Sequence, residues 1–302
     1  WGTAFVAQSL GMDHLGPFAF NGVRNFIAAL ALLPVLLFMQ RKAPKKTQTD
    51  EERKQSRKTL WVGGVLCGSA LAVASNLQQF GISFTTVGKA GFLTALYIVI
   101  VPILGLFLKK RVPATVWVSV VIAAAGTYLL SVQEGFTIAP GDLLVILCAL
   151  GFSVHILIID HFSPMVNGVA LSCVQFLVCG VLCTAAALFT ETFTLADILK
   201  SAGPLLFTGL MSSGVGYTLQ VVAQQDALES HAAIIMSLES MFGAIGGALF
   251  LGEVMTPRGY VGAALMMSGI ILSQLPPPGS RWGRRRASVP VPEPPSTALA
   301  KE

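Results

Sequence analysis

Charge is what this sequence has least of: only 12% of its 302 residues are Asp, Glu, Lys or Arg, against 54% apolar residues. A soluble globule of that length needs far more charge to clothe its surface, and the mean hydropathy of +0.72 excludes one. Cysteine is scarce too. The five, Cys67, Cys148, Cys173, Cys179 and Cys183, sit inside apolar runs without the C-x-x-C spacing of a redox or zinc site, and read as small buried hydrophobes. Catalytic signatures are missing: there is no H-E-x-x-H, no G-x-S-x-G and no Walker loop, and no polar stretch is large enough for a nucleotide-binding domain. No cofactor or metal is expected, and ATP-driven pumping by this chain alone is excluded. A net charge of +5 invites nucleic acid as a partner, but sixteen of the twenty Lys and Arg lie in three clusters, Arg41 to Lys58, Lys109 to Arg111 and Arg281 to Lys301. These flank apolar runs, so they read as topology signals at a lipid bilayer and no nucleic acid is expected.

The remaining sequence is mostly membrane spans. A bilayer core of ~30 Å takes about twenty helical residues at ~1.5 Å each. Runs of that length occupy about 18–39, 60–80, 89–108, 113–132, 143–159, 169–188, 204–222, 231–253 and 260–275. The opening run W-G-T-A-F-V-A-Q-S-L covers only ~15 Å before the turn signals G-M-D-H-L-G-P, and is read as a first span truncated at its start. A cleaved signal peptide is the other reading, without a small-residue cleavage pattern to support it. Pro102 predicts a kink or local unwinding in the fourth span. The segment 41–59 reads as a mobile basic linker, and 276–302 as a basic, proline-rich tail too poor in apolar residues to fold.

Two copies of one unit are visible. Ala90 placed on Ala233, 143 positions later, superposes Leu106, Phe107 and Leu108 on Leu249, Phe250 and Leu251, Val118 on Val261, Gly126 on Gly269 and Leu129 on Leu272 without a gap. Seven identities in forty positions are weak alone. Matching span ends and polar breaks strengthen them. Two spans separate the first basic cluster from the second and six separate the second from the third, so all three share a face, the cytoplasmic one by the positive-inside rule. The expected architecture is an all-α polytopic membrane protein with ten transmembrane helices in two five-helix repeats, 1–132 and 141–275. Five is odd, so the second repeat is inverted, and both termini face the cytoplasm.

The ninth span, His231 to Glu253, carries Glu239, the only carboxylate deep in a span. Glu239, Gly243, Gly246, Gly247 and Phe250 fall at i, i+4, i+7, i+8 and i+11, so the acid shares a helix face with a G-x-x-x-G pair and looks toward other helices. A mid-membrane charge costs roughly 2.5 to 3.5 kcal/mol, which selects for substrate or proton coupling, or for a hydrogen-bonded strut. Arg24 is the only arginine inside a span, near enough to its end to snorkel, and reads as a partner for carbonyls or as contact for an anionic substrate. His155 is a proton relay, substrate ligand or satisfied interhelical histidine. Lys89, at the mouth of the fourth span, is explained by its interfacial place. Asn76, Gln78, Gln79, Tyr97, Gln175, Tyr217 and Gln220 suit a polar cavity, and each alone is as well read as interhelical glue.

W-G-T-A-F-V-A at the start, the spacing of Pro17 and Arg24, the Leu238-Glu239 pair and L-F-L-G-E at Leu249 to Glu253 together resemble the drug/metabolite transporter superfamily, and within it the EamA-type permeases. The chain departs from that pattern at Ser240, where the family often has proline, and at Leu108-Lys109-Lys110, where the first repeat lacks L-G-E. The resemblance implies an integral transporter that moves small metabolites or xenobiotics through a central cavity by alternating access, commonly outward. The expected function is a plasma-membrane secondary transporter or exporter of small organic solutes, amino acids or related metabolites, as a monomer or homodimer, with protons as candidate coupling ion. The rival readings are multidrug efflux and a membrane-embedded enzyme or receptor.

Overall fold

The computed structural model describes residues 1–42, 49–85, 87–110, 112–131, 140–251 and 256–275. Among these residues there is no strand. The helices in chain order are α1 (Gly2–Gly11), α2 (Pro17–Lys42), α3 (Asp50–Ile82), α4 (Val87–Thr94), α5 (Tyr97–Phe107), α6 (Ala114–Ser131), α7 (Pro140–Phe162) and α8 (Gly168–Thr190). A short α9 (Leu195–Lys200) follows, then α10 (Ala202–Leu206), a π-helix (Phe207–Tyr217) and α11 (Thr218–Ala223) as one continuous rod. The chain closes with α12 (Glu229–Met236), α13 (Leu238–Leu251) and α14 (Pro257–Gln274). Six described helices are long and apolar enough to cross a membrane, and Ala114–Leu130 is a shorter apolar one.

The distribution of polarity is that of a membrane protein. Leu30, Phe38, Val73, Val121, Leu188 and Phe189 point outward and are exposed, while Asn21, Arg24, Asn25, Gln79, His155 and Gln175 are buried. In water such an apolar surface would aggregate; against lipid it costs nothing, and the polar groups gain by facing one another.

The mobile linker expected over 41–59 is largely helical instead. α2 continues to Lys42 and α3 starts at Asp50, with 43–48 outside the described residues. Thr49 and Glu52 form a reciprocal capping box, and Asp50, Glu51 and Glu52 place negative charge on the first turn, where the helix dipole favours it. A basic linker in composition thus becomes the first turns of a 33-residue helix. α9 uses the same device: Thr194 caps Asp197, and those hydrogen bonds hold the Asp197 carboxyl below its ordinary range. Most of the expected seam between repeats, the tail 276–302, Arg111 and the G-E of L-F-L-G-E lie outside the described residues.

Glycines set the helix contacts. A Cβ at Gly64 would lie 2.3 Å from Val174 and one at Gly68 2.6 Å from the Gln175 carbonyl, so α3 presses on α8. Gly16 makes room for Glu191, whose carboxylate leaves the end of α8 and accepts from the backbone N–H groups of Phe18 (2.9 Å) and Ala19 (2.8 Å). The first turn of α2 is therefore capped by another helix, with Pro17 in the position that has no N–H to lose.

Among the described residues, two spans are broken. At the α4–α5 junction Leu96 N–H donates to Leu93 and Ile98 N–H to Ala95, an i→i+3 turn in place of the helical ladder. The interruption expected at Pro102 is thus placed at residues 95–96, just before Ile98, whose carbonyl Pro102 leaves without its helical donor. α12 and α13 part at Ser237, whose hydroxyl donates back to the Ile234 carbonyl at 2.7 Å and competes with the ladder there.

The end of α5 carries the one positive-φ residue besides glycine among the described residues, Lys109 at φ 59°. Lys110 N–H donates to Gly105 and Lys109 N–H to Leu106, the two bonds of a Schellman cap with lysine in the left-handed position that glycine usually fills. Lys109 is the 143-residue counterpart of Gly252. Lys109→Gly is expected to raise stability by about 0.5–1 kcal/mol, because it relieves the left-handed strain and more than offsets the extra backbone entropy lost. Thermal unfolding in detergent reads the sign, and a lower midpoint overturns the strain argument.

Candidate functional site

The two breaks face each other. Tyr97 is the first residue of α5 and Glu239 the second of α13, and the Tyr97 hydroxyl donates to Glu239 Oε1 at 2.9 Å, 142 residues away in sequence. α1 lies against this junction. A Cβ on Gly2 would sit 2.2 Å from the Glu239 carbonyl and 2.3 Å from the Gly243 nitrogen, so the helix face shared by Glu239 and Gly243 packs backbone to backbone on α1. The surroundings of Gly246 and Gly247 and the side chain of Phe250 on that face lie outside the described residues. Ser240 ties the same turn to α4 by donating to the Gly91 carbonyl at 3.1 Å.

Between these elements lies a cavity lined by Trp1, Phe5 and Gln8 of α1, Arg24, Gln78, Thr94, Tyr97, Phe152, His155, Ile156, Ser212, Tyr217, Gln220, Met236 and Glu239. The space open to the centre of a water molecule is about 30 Å³, room for roughly two waters at ~10–15 Å³ each. Trp1 Nε1–H donates to the Ser212 carbonyl at 3.1 Å, and its ring lies 4.9 Å from that of Tyr217. Ser212 and Tyr217 belong to the π-helix, whose wider turn is found frequently at functional sites. Tyr217 is further enclosed by Phe152, His155 and Phe176.

Of the residues the sequence singled out, Glu239, Tyr97, His155, Tyr217, Gln220, Arg24 and Gln78 line the cavity. Gln175 stands behind it: its Oε1 accepts from His155 Nε2 at 3.0 Å, which leaves Nδ1 as an acceptor without a partner among the described residues. Gln79 donates to the Gln8 carbonyl and joins α3 to α1. Asn76 accepts from Asn21 and donates to Ala72 and Cys183, joining α2, α3 and α8. Arg24 does not snorkel; it is 2% exposed, with its guanidinium carbon 5.9 Å from the centre of the Phe20 ring. Trp1, Gln8, Thr94 and Ser212 were not singled out. The i, i+4, i+7 spacing of Trp1, Phe5 and Gln8 was the available signal for the first two.

Ion pairs sit at both ends of the broken α4–α5 span. Lys89 in α4 donates to Asp142, in the first turn of α7, at 3.1 Å, and Thr85 donates to the same carboxylate. Lys110, just past α5, pairs with Asp160 in the last turn of α7 and reaches Glu229 of α12 at 3.5 Å. One straight helix is thereby fastened to both halves of an interrupted one. Lys89, which an interfacial place alone explained, has a partner that is 1% exposed.

Among the described residues, an all-helical bundle with an apolar exterior and a buried polar cavity at two helix breaks is the arrangement of a membrane-embedded protein. The family is more specific. The model of the EamA-like transporter family matches residues 1–132 and 139–275, and the chain belongs to that family. It is 33% identical over 277 residues to an uncharacterized transporter of Archaeoglobus fulgidus, covering 91% of this chain and 82% of that one. It is 26% identical over 289 residues to the uncharacterized transporter YwfM of Bacillus subtilis, covering 92% and 90%. A solved crystal structure, 14% identical, superposes with a TM-score of 0.70 over 91% of this chain and 96% of that one, a likeness of fold.

Proposed function

We propose that the protein is a secondary transporter of the plasma membrane that moves small organic solutes, amino acids or related metabolites, by alternating access through this cavity, with Glu239 as the proton-coupling group. The observation that carries the reading is the Tyr97–Glu239 hydrogen bond across two broken helices in a buried polar cavity. The mix of lining groups favours solutes with hydrogen-bonding groups over multidrug efflux. Glutamines, a histidine, an arginine and a carboxylate would be desolvated without return against a purely apolar drug.

The ten-span, inverted-repeat architecture belongs to this proposal, and packing supports it. Gly126 of α6 packs on Gly262 of α14, and Gly269 of α14 packs on Ser119 of α6. Adding 143 to 126 gives 269, and adding it to 119 gives 262, so one contact is the repeat-related copy of the other. A pseudo-two-fold axis through the α6–α14 contact produces that reciprocity. In this arrangement the Lys89–Asp142 pair lies at the outer end and the Lys110–Asp160–Glu229 cluster at the cytoplasmic end, each to be parted as the cavity opens to its side.

Flux into proteoliposomes of the full chain, against a metabolite panel and with or without a pH gradient, tests the reading. Solute movement that the gradient accelerates is expected; no movement together with a catalysed reaction would favour an embedded enzyme. Reporter fusions after Lys58, Arg111 and Arg286 are expected to report cytoplasm at all three sites. A single fusion on the opposite face breaks the ten-span topology.

A further inference from the structure

The Arg24 guanidinium is the least compensated group in the cavity. A guanidinium stays protonated in proteins and has five N–H donors to place. Arg24 is 2% exposed, yet no carboxylate among the described residues lies within the 4.0 Å of an ion pair, and its Nε has no hydrogen-bond partner. Glu239 lines the same cavity without pairing with it; the carboxylate takes the Tyr97 hydroxyl instead. Other buried cavity atoms are unpartnered in the same way: Gln8 Oε1, His155 Nδ1 and Gln220 Oε1. An unsatisfied buried polar atom costs ~1–3 kcal/mol, and more when charged, so a group of them around one cavity marks where a ligand supplies the missing partners.

We infer that Arg24 is the anion receptor of the transport site and that the solute it accepts carries a monoanionic carboxylate. This rests on reading the cavity as the transport site. A planar carboxylate matches the guanidinium fork with two parallel hydrogen bonds, and one negative charge offsets one positive charge. A phosphate, at ~1.5 to 2 negative charges near neutral pH, would leave excess charge in a cavity that already holds the Glu239 carboxyl. Small size follows from the narrowness of the cavity. The remaining acceptors, Gln8 Oε1, His155 Nδ1 and Gln220 Oε1, can take donors elsewhere on the solute, so an amine is accommodated and the carboxylate is required.

Matched pairs of small acids and their primary amides, with and without an α-amine, test this with the full chain in proteoliposomes and, separately, by ligand-induced shifts of thermal unfolding in detergent. The acids are expected to move at least tenfold faster than the matched amides, and they alone should raise the unfolding midpoint. Arg24→Lys keeps the charge but loses the fork, and is expected to raise KM for the acids at least tenfold with less change in kcat. Arg24→Gln should abolish the acid-induced shift. Amides carried as well as acids, or an unchanged KM in Arg24→Lys, would overturn the assignment. If either variant fails to fold, the acid–amide comparison in the wild-type protein decides alone. If nothing moves while acids still shift unfolding, the transport reading fails and the anion receptor stands; acids that neither move nor shift unfolding sink the receptor.

Discussion

Glu239→Gln is expected to leave the protein folded and able to exchange solute across the bilayer, while flux driven by a pH gradient falls at least tenfold, to background. Glutamine has nearly the shape of glutamate, and its carbonyl oxygen can still accept the Tyr97 hydroxyl that now reaches Glu239 Oε1 at 2.9 Å. The backbone contact of Gly2 with Glu239 and Gly243 does not involve the side chain and is unchanged. What glutamine cannot do is gain and lose a proton. Taking a charge out of water costs several kcal/mol, so a cycle that neutralises the group in one facing state and ionises it in the other ties solvent access to proton binding. Counterflow of labelled against unlabelled solute separates the two consequences. Counterflow retained with pH-driven flux lost supports coupling. Equal pH-driven flux in wild type and variant, at matched abundance in the membrane, would falsify it and leave Glu239 as a strut. Glu239→Ala is less informative, since it also removes packing and orphans the Tyr97 hydroxyl.

Gly262→Leu is expected to be strongly destructive, destabilising by about 3 kcal/mol or more, at the upper end for overpacked sites. A Cβ at Gly262 alone would lie 2.6 Å from both the Gly126 carbonyl oxygen and the Leu130 nitrogen. These are backbone atoms of α6 and cannot swing aside. The helices must separate, and every contact along the α6–α14 seam loosens with them, because close-packed interiors do not deform locally. In lipid that separation has no hydrophobic penalty to resist it, since the tails solvate apolar side chains as well as a neighbouring helix does; close van der Waals contact at small residues is what holds the pair. Gly203→Ala serves as the control. A Cβ there meets nothing within 4 Å, and the change should stay within about 0.5 kcal/mol. Unfolding midpoints in detergent decide between them, and equal midpoints for the two variants would contradict the packing.

How legible the site was depended on the kind of residue. Glu239, Arg24 and His155 stood out because a titratable group in an apolar run is expensive wherever it ends up, and all three line the cavity. Uncharged polar residues gave no such signal. Asn76, Gln79 and Gln175 have the same side-chain chemistry as Gln78 and Gln220, yet the first three serve as links between helices and the other two line the cavity. An amide in a span is satisfied equally by a neighbouring carbonyl or by a solute, so sequence spacing alone does not separate these outcomes. Trp1, read only as the start of the truncated first run, is a wall of the site through its contacts with Ser212 and Tyr217.

By itself the sequence determined the solvent and the helical class. A chain with this little charge and these run lengths must hydrogen-bond its backbone within helices inside a bilayer, and that requirement depends on local composition. It also marked one face for close helix contact, the Glu239 face with its G-x-x-x-G pair, because glycine lets another backbone come near. Only the tertiary structure decided which charges meet. Tyr97 finds Glu239, Asp142 finds Lys89, and Glu191 caps α2, across separations of 142, 53 and roughly 170 residues. Each such pair is made of groups that could have been satisfied by many partners, and geometry alone selects one. The helix breaks are of the same kind: a serine at position 237 or a proline at 102 permits an interruption, but whether the turn opens there depends on what the neighbouring helices offer the freed carbonyls.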